Sequence, residues 1–186
     1  MSLRELWPFR KKEVPLWPWE GEPRPAAPPR KPRIIWNVLL FFLTFLTTLL
    51  AGALQEGVNP IANPGQIHRG FPFALALMGI LLAHEFGHYL VARRHGVDVT
   101  LPYFIPAPSF IGTFGAFIKM RSPARDVKML LDIGAAGPLV GVAVSVPLVA
   151  LGLGLSEVKQ IEGQVGTTLG DSILLWVISR VVVGPI

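Results

Sequence analysis

The hydrophobic positions of this chain are gathered into three long runs. Residues 34–54 contain no charged side chain, residues 71–92 contain one acidic side chain, and residues 133–155 again contain none. A helix needs roughly 20 residues to cross the hydrocarbon core of a bilayer, and each run is about that long. The pattern therefore predicts three transmembrane helices.

A fourth apolar segment, residues 102–120, differs from these runs because prolines interrupt it. Pro102, Pro106 and Pro108 argue against a helix, and no charge occurs before Lys119. The part rich in Phe and Ile predicts a short re-entrant hairpin that has an exposed strand edge. A passive interfacial loop is the alternative.

The two ends of the chain lie outside these segments. Residues 173–183 are apolar but too short to cross a bilayer, so they predict an interfacial helix or the start of an element that this sequence does not complete. Residues 1–33 hold eight of the 18 prolines and three tryptophans, which predicts a Pro/Trp-rich cytoplasmic tail ahead of a membrane core at residues 34–186. The predicted fold class is an all-α polytopic membrane protein with about three transmembrane helices and a short re-entrant β-hairpin-like segment.

Composition excludes several classes of protein. Apolar residues make up 51% of the chain and charged residues 16%, and there is no cysteine. A disulfide framework and a cysteine-based zinc module are therefore excluded. The net charge of +5 is typical of a nucleic-acid-binding protein, but the high apolar content is not. We therefore expect the lipid bilayer as a partner and no nucleic acid.

Charge also predicts an orientation. Fourteen of the 17 Lys and Arg residues lie either before the first span or between the second and third spans. Because basic loops stay on the cytoplasmic side, we expect the N-terminus and residues 93–132 to face the cytoplasm.

The chemistry is concentrated in the second span, in the stretch His84-Glu85-Phe86-Gly87-His88. On a helix, His84 and His88 share one face and can bind a single metal ion. The pattern His-Glu-x-x-His is typical of zinc peptidases, in which the metal lowers the pKa of a bound water and the Glu accepts its proton. A structural histidine cluster is the alternative, but three ionisable groups within a membrane span favour a functional site.

This span resembles the site-2 protease family of intramembrane zinc metalloproteases, most closely its compact bacterial and chloroplast branch. Residues 134–139, Gly-Ala-Ala-Gly-Pro-Leu, resemble the signature of that family's next core helix, and residues 102–120 resemble its membrane-associated hairpin. The resemblance implies a Zn²⁺ cofactor, His84 and His88 as metal ligands and Glu85 as the catalytic residue.

The resemblance also implies a third ligand, an Asp in a Leu-Asp-Gly motif, which this sequence does not contain. Neither Asp132 nor Asp171 has that context. We expect Asp132 to favour the N-terminus of the third helix, Asp171 to cap the last segment and His95 to be solvated. The expectation that follows is a fragment whose third ligand lies beyond Ile186 and which can therefore be inactive on its own.

The sequence predicts an intramembrane zinc endopeptidase that hydrolyses single-span transmembrane proteins through a metal-activated water. The resemblance places it in a membrane, with a bacterial cell membrane as the expected location. An inactive membrane scaffold or partner-binding protein of the same fold is the alternative. A metal transporter fits less well, because the first and third spans offer no ionisable side chains.

Overall fold

The computed structural model describes residues 34–156 and 172–184. The predicted tail, residues 1–33, lies outside the described residues, so its boundary stays a prediction. Asp171 also lies outside them, but the expectation that it caps the last segment is wrong, because Ser172 is the N-cap there and accepts from the Leu175 N–H at 3.0 Å.

Three long helices confirm the predicted fold class. They are α1 (Ile34–Gln55), α2 (Phe71–Arg94) and α3 (Val127–Leu155), and each is long and apolar enough to cross a membrane. A 3₁₀ helix (Pro64–Gly70) leads into α2, and a ten-residue helix α4 (Ile173–Val182) packs against α3.

Helix α3 begins six residues before the predicted span. Its N-cap is Asp126, whose carboxylate accepts a hydrogen bond of 2.7 Å from the backbone N–H of Met129. Hydropathy alone did not find this start, because the first turns of α3 include Lys128 and Asp132. Asp132 therefore lies in the second turn of α3, and Asp126 holds the capping position.

The interrupted apolar segment forms a hairpin. Strands β1 (Tyr103–Pro106) and β2 (Thr113–Phe117) pair antiparallel, with Tyr103 opposite Phe117 and an irregularity at Pro106. A further bridge joins Val99 to Met120, so the ribbon continues beyond both strands.

The hairpin lies along helix α1. The Asn37 side chain donates to the carbonyls of Leu101 and Pro102, both at 2.9 Å, and the Gln55 side chain donates to Phe110 at 3.0 Å. Asn37 and Gln55 are 18 residues apart, which is about 27 Å along a helix. The hairpin therefore follows α1 for most of its length, and its turn lies at the C-terminal end of that helix.

One close approach fixes the turn of the hairpin against α1. Thr47 donates its hydroxyl hydrogen to the carbonyl of Gly112 at 2.6 Å. Gly112 has a φ of +83°, and a Cβ there would lie 2.5 Å from the carbonyl oxygen of Thr47. Both conditions require glycine, since other residues rarely adopt this φ and there is no space for a side chain.

Candidate active site

The candidate site lies on the face of α2 that packs against α3. His84 and His88 are one turn apart, and their Nε2 atoms are 3.1 Å apart. Two nitrogens bound to one tetrahedral zinc at about 2.0–2.1 Å would be about 3.3 Å apart. The two imidazoles therefore already have a spacing that suits shared coordination of one ion.

The protonation of His88 is directed by α3. Its Nδ1 atom lies 2.6 Å from the backbone carbonyl oxygen of Ile133. A carbonyl only accepts hydrogen bonds, so this contact places the proton on Nδ1 and leaves Nε2 with a lone pair, which faces Nε2 of His84. Metal-bound histidines characteristically make this kind of second contact, which fits His88 as a ligand.

Two glycines of α3 make room for the two imidazoles. A Cβ at Gly137 would overlap the ring of His88, with Cε1 only 2.5 Å away, and a Cβ at Gly141 would lie 3.1 Å from Nδ1 of His84. Gly87 of α2 in turn faces the Ala136 carbonyl oxygen, 2.7 Å from where its Cβ would be. Small residues on both helices therefore bring the backbones close enough for the histidines to lie between them.

Glu85 points into a cavity of about 320 Å³ beside these histidines. Its side chain is buried, with a relative exposure of 6%, and the backbone N–H of Ile118 interacts with its carboxylate. The cavity is lined by residues of three elements, among them Glu85, His88, Ala116, Phe117, Leu130 and Gly134. Helix α2, helix α3 and the hairpin therefore meet at the candidate base.

The hairpin presents the outer edge of β2 to this cavity. Lys119 faces β1, because its carbonyl accepts from the N–H of Thr100 and its own N–H donates to the Thr100 hydroxyl. Backbone groups alternate in direction along a strand, so Ile118 and Ala116 direct theirs to the opposite edge. That edge faces Glu85.

A comparison with protein families decides the family. The family model described as "Peptidase family M50" matches residues 72–183, which include the motif of α2, the hairpin and both glycines of α3. The chain belongs to peptidase family M50. The predicted resemblance to site-2 proteases is thereby confirmed.

Curated relatives agree with the M50 assignment. "Probable zinc metalloprotease EGY1, chloroplastic" of Arabidopsis thaliana is 39% identical over 181 residues, which cover 82% of this chain and 33% of that protein. The corresponding EGY2 protein of Arabidopsis thaliana is 38% identical over 119 residues, covering 63% of this chain and 21% of that protein.

A bacterial relative is "Putative zinc metalloprotease Rip3" of Mycobacterium tuberculosis. It is 32% identical over 127 residues, covering 67% of this chain and 30% of that protein. The chain thus spans about one third or less of the length of these relatives. No solved structure matches the chain.

The remaining candidate ligands of this M50 chain lie elsewhere. His95 was expected to be solvated, but its Nε2 lies 3.2 Å from the Asp132 carboxylate, between α2 and α3. His68 is in the 3₁₀ helix, where its Nδ1 lies 2.9 Å from the carbonyl oxygen of Gly65. Within residues 34–156 and 172–184, no three His, Asp or Glu side chains are grouped to hold one metal ion.

Sequence reasoning did not identify the parts of the site that α3 and the hairpin supply. These are the Ile133 carbonyl, the Ile118 amide and the glycines Gly137 and Gly141. The two glycines could have been recognised in the sequence, because their spacing of four residues equals the spacing of the two histidines. The two backbone groups could not have been recognised in this way, since every residue has a carbonyl and nearly every residue has an amide.

Proposed function

We propose that this chain carries the ion-binding and catalytic part of an intramembrane zinc endopeptidase. The observation that carries the proposal is the 3.1 Å separation of the Nε2 atoms of His84 and His88, next to a buried Glu85 that faces the same cavity. Membership of M50 and the zinc metalloprotease names of its relatives support the same activity.

In this proposal the two histidines hold Zn²⁺ through Nε2, and Ile133 keeps the Nε2 lone pair of His88 available. When bound, zinc acts as a Lewis acid toward water and the scissile carbonyl. Glu85 takes the proton from the attacking water and passes it to the leaving amine. The carboxylate is directed toward the cavity by its contact with the Ile118 amide.

The substrate in this proposal is a single-span transmembrane protein that has unwound locally. A helical peptide has its carbonyls hydrogen-bonded internally, so it must become extended before a bond is accessible. The outer edge of β2 at Ala116, which lines the cavity, can pair with such an extended segment through main-chain hydrogen bonds, without requiring a particular sequence. A segment paired with this edge would lie in the cavity next to Glu85.

The proposed location is a membrane, with the N-terminus and the basic α2–α3 connection in the cytoplasm. Arg93, Arg94, Lys119, Arg121, Arg125 and Lys128 are all exposed in the structure. Relatives come from chloroplasts and from a bacterium, and a bacterial cell membrane is the location we propose for this chain.

Zinc content and cleavage, measured on the same preparations, test the proposal. In a full-length context, in detergent or liposomes, Glu85→Gln should retain zinc and lose cleavage of a model single-span substrate by about 10²- to 10⁴-fold, the usual effect of removing a general base. His84→Ala should lose zinc, whereas His68→Ala, the matched histidine control, should keep both properties.

Each other outcome has a definite meaning. Full cleavage by Glu85→Gln would exclude Glu85 as the base. Zinc bound equally by His84→Ala and the unaltered chain would exclude the metal site. Specific zinc binding with no cleavage in a full-length context, where the expected third ligand is also present, would favour the alternative, a scaffold of the same fold.

A further inference from the structure

We propose that His95 and Asp132 form a positioning pair that holds α3 in the place where its Ile133 carbonyl selects the metal-binding form of His88. The inference rests on the proposed zinc site. It concerns two residues that neither hold the ion nor line the cavity of Glu85.

The pair joins the end of α2 to the second turn of α3. His95 is the C-cap residue of α2, and its backbone N–H donates to the carbonyl of Val91 at 3.1 Å, which fixes the start of its side chain. Its Nε2 atom lies 3.2 Å from a carboxylate oxygen of Asp132. The exposed fractions of the two side chains are 34% and 41%, so the pair is partly shielded from water.

The same two helices meet again at the adjacent residue of α3. Ile133 follows Asp132 directly, and its carbonyl oxygen lies 2.6 Å from Nδ1 of His88. His88 and His95 are seven residues apart, which is two turns, so they project from the same side of α2. Two consecutive residues of α3 are therefore held by two histidines on one face of α2.

The contacts around this point make the position of α3 sensitive to small shifts. Ile133 is buried together with Met129 of α3 and Ala92 of α2. This apolar packing holds the helices together, but apolar contacts are non-directional, so they define the position of α3 along α2 less strictly than a hydrogen bond does. The His95–Asp132 pair adds a second directional contact at this end, beside the contact of His88 with the Ile133 carbonyl.

A consequence for His88 follows from imidazole chemistry. A neutral imidazole carries its proton on either Nδ1 or Nε2, and only the form that is protonated on Nδ1 can bind a metal through Nε2. The Ile133 carbonyl stabilises that form. If α3 shifts, the hydrogen bond is lost, and part of the His88 population carries its proton on Nε2.

The primary test is the tautomer of His88 in the metal-free 186-residue chain, measured by ¹⁵N NMR of labelled histidine. The unaltered chain should show His88 protonated at Nδ1. His95→Ala and Asp132→Ala should each show a mixture of the two tautomers. The exchanged variant His95→Asp/Asp132→His should restore the Nδ1–H form.

Zinc affinity, measured by competition with a chelating dye, provides a second readout. Loss of a group that orients a metal ligand weakens binding by about 10- to 100-fold, and we expect the lower end for a pair that acts through Ile133. Asp98→Ala is the matched control, because it removes the contact of Asp98 with Arg121 (3.9 Å) elsewhere on the same side of the protein. That variant should keep the tautomer and the affinity of the unaltered chain.

The outcomes separate this inference from the proposed function. Unchanged His88 tautomer and zinc affinity in both single variants would overturn the pair, as would a mixture of tautomers in the unaltered chain. A purely structural role would lower thermal stability without moving the tautomer, and that result would also overturn it. Failure to bind zinc in a full-length context, with the tautomer as expected, would refute the zinc peptidase and not the positioning of His88.

Discussion

The substitution Gly137→Ala tests whether α3 shapes the site of α2. A Cβ at this position would lie 2.5 Å from Cε1 of His88, whereas carbon atoms in ordinary contact are about 3.5–4.0 Å apart. The ring must therefore move by about 1 Å or more, which separates Nδ1 from the Ile133 carbonyl and Nε2 from its partner on His84. We expect a weaker metal site in a folded protein.

The magnitude follows from two opposing terms. Forcing one methyl group into a packed interface costs about 1–3 kcal/mol, while alanine is a better helix former than glycine by about 1 kcal/mol. In the metal-free protein, His88 can rotate away from Gly137, so the stability should stay within about 1–2 kcal/mol of the unaltered chain. Zinc binding requires the His88 ring to lie against residue 137 again. The cost of about 1–3 kcal/mol should therefore weaken zinc binding and raise the Kd by about 5- to 150-fold.

The assay is a chelator competition for zinc in detergent, accompanied by thermal unfolding. Gly141→Ala should show a graded effect of about two- to threefold, because its Cβ would lie 3.1 Å from Nδ1 of His84, where a small adjustment suffices. Gly152→Ala, on the same helix, is the control, since nothing lies within 4 Å of its Cβ. A zinc Kd for Gly137→Ala that equals that of Gly152→Ala would refute the role of α3.

Three further predictions concern the hairpin and the orientation. Ala116→Pro should reduce substrate cleavage while leaving zinc content unchanged, because proline removes an edge N–H; cleavage at the unaltered rate would reject strand pairing by the substrate. Asn37→Ala should lower the free energy of unfolding by about 1–2 kcal/mol, since two hydrogen bonds to the hairpin are lost; an unchanged melting temperature would contradict this. The chain has no cysteine, so a single cysteine introduced at Ile61 or at Arg125 can report orientation. An impermeant thiol reagent added outside cells should label the cysteine at position 61 and not the one at position 125. The reverse result would show that the proposed topology is inverted.

The transmembrane helices were predictable because each depends on a local property, the length of an apolar run. The start of α3 was not, because Asp126 caps the helix ahead of charged residues that hydropathy assigns to a loop. The presence of a non-helical hairpin at residues 102–120 was predictable, since the prolines argue against a helix. Its register was not, because that depends on contacts with α1, such as the hydrogen bond from Thr47 to Gly112.

The same distinction applies to the site. His84, Glu85 and His88 are recognisable because one element brings them together, and their catalytic and metal-binding roles stay predictions. The contact of His95 with Asp132 joins residues 37 positions apart in the sequence. It becomes visible only when the alignment of α2 against α3 is known, and no local pattern supplies that alignment.

That alignment is itself restricted by the residues that build the site. His84 lies against Gly141 and His88 lies against Gly137. The two histidines and the two glycines therefore have the same four-residue spacing, in opposite chain directions. If α3 slid by one turn and kept this face toward α2, Ile133 and Gly137 would face the imidazoles in one direction, and Gly141 and Ser145 in the other. Each alternative introduces a larger side chain against His84 or His88. The glycines thus allow the histidines to approach α3 and also exclude neighbouring registers, so assembly of the two helices and assembly of the site are a single event.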